Sequence, residues 1–224
     1  ALTMLGVIIG VASVIAMIAL GSGARAAIDE QIQSQGTNII FVTAGSFGRG
    51  QGSVRGGAGS ISTLTLDDAK AIQQQVGTVS LMSPGVRTRA QVIAGNQNWN
   101  TQIQGENEDF LAIRNWPLAS GENFTARDVQ VADKVALLGA TVAQTLFFDQ
   151  DPVGQIVRVK NLPFRVVGVL AAKGQGTFGQ DQDDLIVAPY TTVQKKLLGV
   201  TFLQSVTLSA TSADAVEPTA VEVT

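Results

Sequence analysis

The chain has 224 residues, 15 Lys and Arg against 18 Asp and Glu, and a formal net charge of −3. With no cluster of five or more basic residues it lacks a surface for tracking phosphates, which excludes nucleic-acid binding. It has neither Cys nor His, so disulfides, Cys/His metal sites and catalysis by a thiolate or an imidazole are excluded as well.

From Ala1 to Ala24 no residue is charged; the first charge is Arg25. Leu5, Val7, Ile8, Ile9, Val11, Val14, Ile15, Met17, Ile18 and Leu20 make the run apolar around its whole circumference. At 1.5 Å per residue it reaches about 36 Å as a helix, enough to cross a hydrocarbon core of roughly 30 Å. A helix apolar on every side belongs in a bilayer or deep in a large core, and the polar, Gly-rich remainder is too small to bury it. The run exceeds the apolar core of a signal peptide, and no basic residue precedes it. The sequence therefore predicts a membrane anchor over residues 1–23 with an extracytoplasmic domain behind it. A chain opening on Ala1 is expected to be a piece of a longer polypeptide. Gly6-x-x-x-Gly10, continued by Ser13 one turn on, places small residues on one side and predicts a close helix-packing face.

Beyond residue 23 the helical spacing continues through Ala27, Ile28, Gln31 and Ile32, with Gly36 as the stop. The expected result is a stiff stalk rather than a flexible tether.

The rest reads as mixed α and β. Ile39–Val42 is a short strand. Gly45–Ser62 follows, rich in Gly, but no G-x-G-x-x-G or G-x-x-x-x-G-K-[ST] spacing occurs and no helix opens directly behind it, so a surface loop is expected and not a phosphate cradle. Thr65-x-x-Asp68 is a capping box opening a helix to about Val76. Strands are expected at 79–83 and 86–94, then a turn at Gly95–Asn98 and a strand at 99–104. Composition shifts at Gly105-Glu106-Asn107-Glu108-Asp109, and a short helix runs from Phe110 toward Pro117. Val135–Leu138 is a strand and Gly139–Phe148 a helix. Ile156–Val159 and Phe164–Leu170 form a hairpin about Asn161-Leu162-Pro163. Leu185–Ala188 is a strand, Thr191–Leu198 a helix, and Phe202–Ala210 a strand returning to the first part of the domain. A last helix begins in Thr211–Thr224 and is cut short at Pro218.

Few residues invite chemistry. Asp181, Asp183 and Asp184, with Asp149 and Asp151 earlier, carry oxygens suited to Ca²⁺, but the downstream Glu and the turn Gly of an EF-hand are missing; a solvated loop capping the next strand is the expected role. Nothing nearby would hold a substrate or shift their pKa values. No catalytic, cofactor or metal residue is therefore assigned. Trp99 and Trp116 are expected to pack in the core or at its rim. Arg87 and Arg89 alternate with apolar neighbours on a half-exposed strand and are candidate partner contacts, together with Asp181, Asp183 and Asp184.

Several segments together carry a family resemblance. Thr3–Val11 followed by Ala19–Arg25 resembles the end of the first membrane helix of MacB-type ABC transporter permeases. Gly36-Thr37-Asn38-Ile39-Ile40 is similar to the first strand of their periplasmic core domain. Val135–Gly139, Asp151-Pro152-Val153-Gly154-Gln155, Phe164–Leu170 and Phe178–Asp184 before Leu185–Tyr190 look like that family's internal signatures, in the family's order. The resemblance implies an α+β fold. It comprises a transmembrane and stalk helix, a porter-like subdomain over 24–106 and 200–224, and a second mixed subdomain inserted as 107–199. It implies a permease of the bacterial inner membrane whose periplasmic domain transmits ATPase-driven helix movement, with Arg25, Ile28 and Ile32 on the transmitting stalk. A cytoplasmic ATPase domain or subunit, a second permease copy, a periplasmic adaptor protein and membrane lipid are the implied partners. The chain has no Walker motif, so ATP hydrolysis is expected elsewhere, and no cofactor is assigned. A membrane-anchored sensor and a carboxylate-dependent hydrolase remain the alternatives.

Overall fold

The computed structural model describes residues 13–15, 17–18, 21, 38–43, 64–176, 179–212 and 215–222. The chain divides into two units, Ala1–Thr37 and Asn38–Thr224. In the first, the described residues are helical, and Val14, Ile15, Met17 and Ile18 are between 57% and 76% exposed. Among the described residues no helix is long and apolar enough to cross a membrane. Most of the expected span, with Gly6 and Gly10, lies outside the described residues. So do Arg25, Ile28, Ile32 and the Gly45–Ser62 loop.

The second unit carries strands β1 (Ile39–Thr43), β2 (Val79–Ala94), β3 (Gln97–Glu106), β4 (Leu118–Gly121), β5 (Val135–Leu138), β6 (Ile156–Val159), β7 (Leu162–Leu170), β8 (Leu185–Pro189) and β9 (Ser205–Ala210). Its helices are α1 (Leu66–Gln75), α2 (Phe110–Ile113), α3 (Ala126–Val131), α4 (Ala140–Phe147), α5 (Tyr190–Thr192, continuing as a π-helix over Val193–Leu198) and α6 (Val216–Glu222).

β2 organises the fold. Its first half pairs antiparallel with β9, which pairs with β1, and the three make an open sheet. Its second half pairs with β3. From there the pairing runs β3–β8–β5–β7, and β6 joins β7 back to β2 through Val92↔Val159 and Ile93↔Arg158. Six strands thus close on themselves, which removes their exposed edges. The two strands expected at 79–83 and 86–94 are therefore one. The partner changes between Gly85, opposite Ser205, and Val86, opposite Gly105. Pro84 and Gly85, which read as a break in the sequence, sit inside a strand at the point where it passes from one sheet to the other.

Strict alternation shapes the ring. Val86, Ala90, Val92 and Ala94 of β2 and Thr101, Ile103 and Gly105 of β3 are buried, while Arg87, Arg89 and Gln91 face out. β5 and β8 are buried throughout, as strands covered on both faces are. α4 touches β3 and β7, on opposite sides of the ring, and stops one mouth of it. At Gly105 a Cβ would lie 2.6 Å from Val86 Cγ2 and 2.9 Å from Tyr190 Cα, so only Gly lets α5 pack this closely on the ring.

Local chemistry explains the element ends. Thr65 accepts from Asp68 N–H while the Asp68 carboxylate accepts from Thr65 N–H, the expected capping box. The same reciprocal pair, Thr125 and Asp128, opens α3. The β6–β7 turn is the two-residue Lys160-Asn161, both in the left-handed region (φ 47° and 74°), so β7 starts at Leu162 and takes in Pro163. α6 runs through Pro218, which stands in the first turn where no intrahelical donor is needed. β3, which ends at Glu106, pairs over five residues with β8. The stretches 24–106 and 107–199 therefore share the ring.

Candidate functional site

Beyond the Gly85/Val86 switch, the outward face of β2 and β3 forms one wall of a cleft of about 320 Å³. Gln102, Gln104 and Glu106 lie two residues apart on β3, and Arg87 is the cross-strand partner of Gln104. Phe41 of β1 and Thr207 of β9 line the side formed by the open sheet. Arg114 and Trp116, just after α2, also line it, and Gln180, Asp181, Gln182 and Asp184 form the far wall.

Glu106 is 3% exposed. Ser83 Oγ donates to its Oε2 at 2.7 Å and accepts from Asn107 N–H at 3.1 Å, and Asn107 Nδ2 donates to the Met82 carbonyl at 2.8 Å. Burial pushes the Glu106 carboxyl up to about 8, against the pull of the Ser83 hydroxyl and of Arg87 and Arg114, so it holds its proton at neutral pH. Arg114 is half-buried. Burial lowers its pKa, partly offset by Glu106. Its Nε is buried without a hydrogen-bond partner among the described residues, and its Cζ stands 5.9 Å from the Phe41 ring centroid.

Behind Arg114, Lys173 Nζ donates to the Arg114 carbonyl at 2.8 Å and lies 5.0 Å from the Trp116 ring centroid. Burial brings the Lys173 pKa down to about 8, helped by Arg114 and opposed by Asp183. Trp116 is a core residue, 4% exposed, its Nε1 donating to the Ala171 carbonyl at 2.7 Å. Trp99 is exposed and donates to Asp184 Oδ1 at 2.7 Å.

The three loop acids are all engaged. Buried Asp183 accepts from the backbone N–H groups of Lys173 and Gly174, both at 2.8 Å. Asp181 accepts from the Thr141 hydroxyl at 2.7 Å and from Asp183 N–H at 2.8 Å. Asp183 thus joins two stretches of its own segment, Asp181 ties it to α4 through Thr141 and Asp184 ties it to β3 through Trp99; no group of three or more acids able to hold a metal occurs among the described residues.

Arg87, Asp181 and Asp184 thus meet at one cleft. Asp183 turns inward to the backbone, and Arg89 is exposed on β2 outside the cleft lining. Arg87 is pinned by its main chain: its N–H donates to Gln204 Oε1 at 2.8 Å, and Gln204 Nε2 donates to its carbonyl at 3.2 Å. Ser13 is helical and exposed. Sequence reasoning missed Glu106 and Arg114. Glu106 carried a faint signal, as the third polar residue at i, i+2, i+4 after Gln102 and Gln104, but the strand was expected to end at 104 and Glu106 fell in the composition shift at Gly105–Asp109.

The chain matches the family model of the MacB-like periplasmic core domain over residues 1–224. It is 44% identical over 213 residues to the macrolide export ATP-binding/permease protein MacB of Syntrophobacter fumaroxidans, covering 95% of this chain and 29% of that protein. To the protein of the same name from Azoarcus it is 38% identical over 223 residues, covering 100% of this chain and 33% of the relative. It therefore spans a third or less of these relatives. Among solved structures, the periplasmic region of MacB from Actinobacillus actinomycetemcomitans is similar with a TM-score of 0.69 at 24% identity, covering 86% of this chain and 85% of that one. The extracellular domain of the ABC-type transporter YknZ from Gram-positive bacteria matches at 0.63 and 17% identity, over 81% and 88% of the two chains. Both structural likenesses carry the mixed α/β fold. From the residue-level match along its whole length, this chain belongs to the MacB-like periplasmic core domain family of ABC transporter permeases.

Proposed function

We propose that this chain is the part of an export permease that carries helix movement out of the bacterial inner membrane into a periplasmic head. The observation that carries the reading is the family match over residues 1–224, joined to an uncharged opening run long enough to span a bilayer. In this reading residues 1–23 are the anchor, with Gly6, Gly10 and Ser13 on its packing face, and Arg25, Ile28 and Ile32 lie on the stalk. The porter-like part (24–106 and 200–224) receives the motion and passes it to the inserted part (107–199) through the ring they share. Support comes from the connectivity: β1 follows the stalk in sequence, pairs with β9, and β9 pairs with the strand that continues into the ring.

ATP hydrolysis belongs to another part of the transporter, in keeping with the relatives' name of ATP-binding/permease protein. A second permease copy packs on the anchor, and a periplasmic adaptor docks on the head, with Arg87, Arg89, Asp181 and Asp184 as contact candidates and Asp183 acting through the loop it holds. Macrolides are the proposed cargo class, from the relatives' names alone. Among the described residues nothing favours the hydrolase alternative, since Asp181, Asp183 and Asp184 already serve as acceptors for their neighbours.

The test uses the complete transporter in nanodiscs. Gly6→Ile or Gly10→Ile is expected to lower stimulated ATPase activity while the head keeps its circular-dichroism spectrum. Unchanged coupling in both variants, or failure of the full-length permease to copurify with ATPase activity, overturns the reading.

A further inference from the structure

The cleft beside Glu106 holds a cation that has no ion-pair partner among the described residues. The Arg114 Nε is buried without a hydrogen-bond partner. A desolvated cation left unpaired is costly, and a fixed planar fork of N–H donors is suited to a planar, bidentate oxyanion. Glu106 does not fill that role: its Oε2 accepts from the Ser83 hydroxyl, and burial favours the neutral form of the carboxyl. Two features bound the missing partner. Asp181 and Asp184 on the far wall would repel a dianion, so the space suits a single negative charge. Phe41, Phe110 and Trp116 supply apolar surface beside the guanidinium, and Phe41 is 55% exposed with its ring turned to Arg114. The space, about 320 Å³, is at the lower end of small-molecule sites.

We propose that this cleft binds a small amphipathic monocarboxylate, with the carboxylate on the Arg114 guanidinium and the apolar body against Phe41. Gln102 and Gln104 line the path with amides, which tolerate polar substituents on the ligand without adding charge. The site lies between the open sheet and the ring, so an occupant touches both. It is independent of the transport reading, which fails or stands on ATPase coupling in the complete transporter.

The test titrates the full chain in detergent micelles at pH 7 with 4-phenylbutyrate by isothermal calorimetry, with a micelle-only blank. For a probe of about a dozen non-hydrogen atoms a Kd of about 1 mM is expected. The uncharged 4-phenylbutyramide and the cationic 4-phenylbutylamine are expected to bind at least about tenfold more weakly. Arg114→Gln is expected to weaken phenylbutyrate about tenfold, and Glu106→Gln to leave it within about twofold. Should Arg114→Gln lose its folded spectrum, Phe41→Ala, altered at an exposed ring, takes its place and is expected to weaken binding about threefold. Equal affinity for acid and amide, unchanged affinity in Arg114→Gln or Phe41→Ala, or no saturable heat from phenylbutyrate up to about 10 mM overturns the proposal.

Discussion

The open sheet of β1, β9 and the first half of β2 differs from the ring in how its edges are treated. In the ring every strand has partners on both sides and the interior is filled by side chains such as Phe164, Ile103, Leu138 and Ile186, none more than 1% exposed. The open sheet has no second neighbour for β1 among the described residues, and β1 presents Phe41 to solvent. A closed body and an open-edged surface thus coexist in one unit because a single strand, β2, belongs to both. The cleft lies where they meet, and its unpaired charge is tolerated at that margin.

The sharpest way to break the comparison is to strain the ring. A Cβ on Gly139 would run into the Asp183 carbonyl oxygen, and backbone cannot give way as a side-chain tip can. Gly139→Val is expected to cost about 3 kcal/mol, read from the urea midpoint. Next in size is Asp183→Ala, which strands the N–H groups of Lys173 and Gly174. It is expected to cost about 2 kcal/mol and to raise hydrogen exchange at those two amides.

At the margin itself the expected effect is on pH. Glu106 has a folded pKa raised from 4.5 to about 8, so its contribution is fully present below pH 4.5 and is lost as pH rises toward 8. Lys173 is depressed from 10.5 to about 8, so stability recovers as pH rises from 8 toward 10.5. Urea midpoints measured across pH 4–10 are expected to pass through a minimum near 8. Glu106→Gln removes the falling limb, whose slope is on the order of 1 kcal/mol per pH unit. The smallest effects sharpen the comparison instead. Thr65→Ala caps α1, packed on β2, and Thr125→Ala caps α3, packed against α5; the cap geometry is the same. Each is expected to cost about 1 kcal/mol by thermal denaturation, because both hydrogen-bond pairs are exposed and local.

Elements whose signal is local were legible in the sequence. β5 falls at Val135–Leu138 as the apolar run requires, α1 opens on its capping box, and β9 returns to β1 and the first half of β2. α3 was missed although Thr125 and Asp128 repeat the α1 signature, because a six-residue helix offers too few turns to show a period. β4, Leu118–Gly121, has no β-branched residue and is held by its partner β7 alone. The site was less legible for a different reason. Glu106 and Arg114 acquire their character from burial and from each other's field, which arise only when β3 and the segment after α2 meet. Asp181 and Asp183 were expected in a solvated loop capping the next strand; Asp183 is instead buried and accepts from the Lys173 and Gly174 N–H groups, a pairing nine to ten residues apart that no local pattern shows.

The cylinder is fastened to itself by very little. Between β6 and β2 only Val92↔Val159 and Ile93↔Arg158 are in register, against nine pairs along β2 and β3. A seam two rungs long resists parting through the buried Val92 and Val159 on its inner side, not through its rungs. The β5–β8 seam is just as short, with Leu137↔Val187 and Leu138↔Ile186 in register, so the cylinder is two three-strand halves, β2–β3–β8 and β5–β7–β6, joined along two narrow lines.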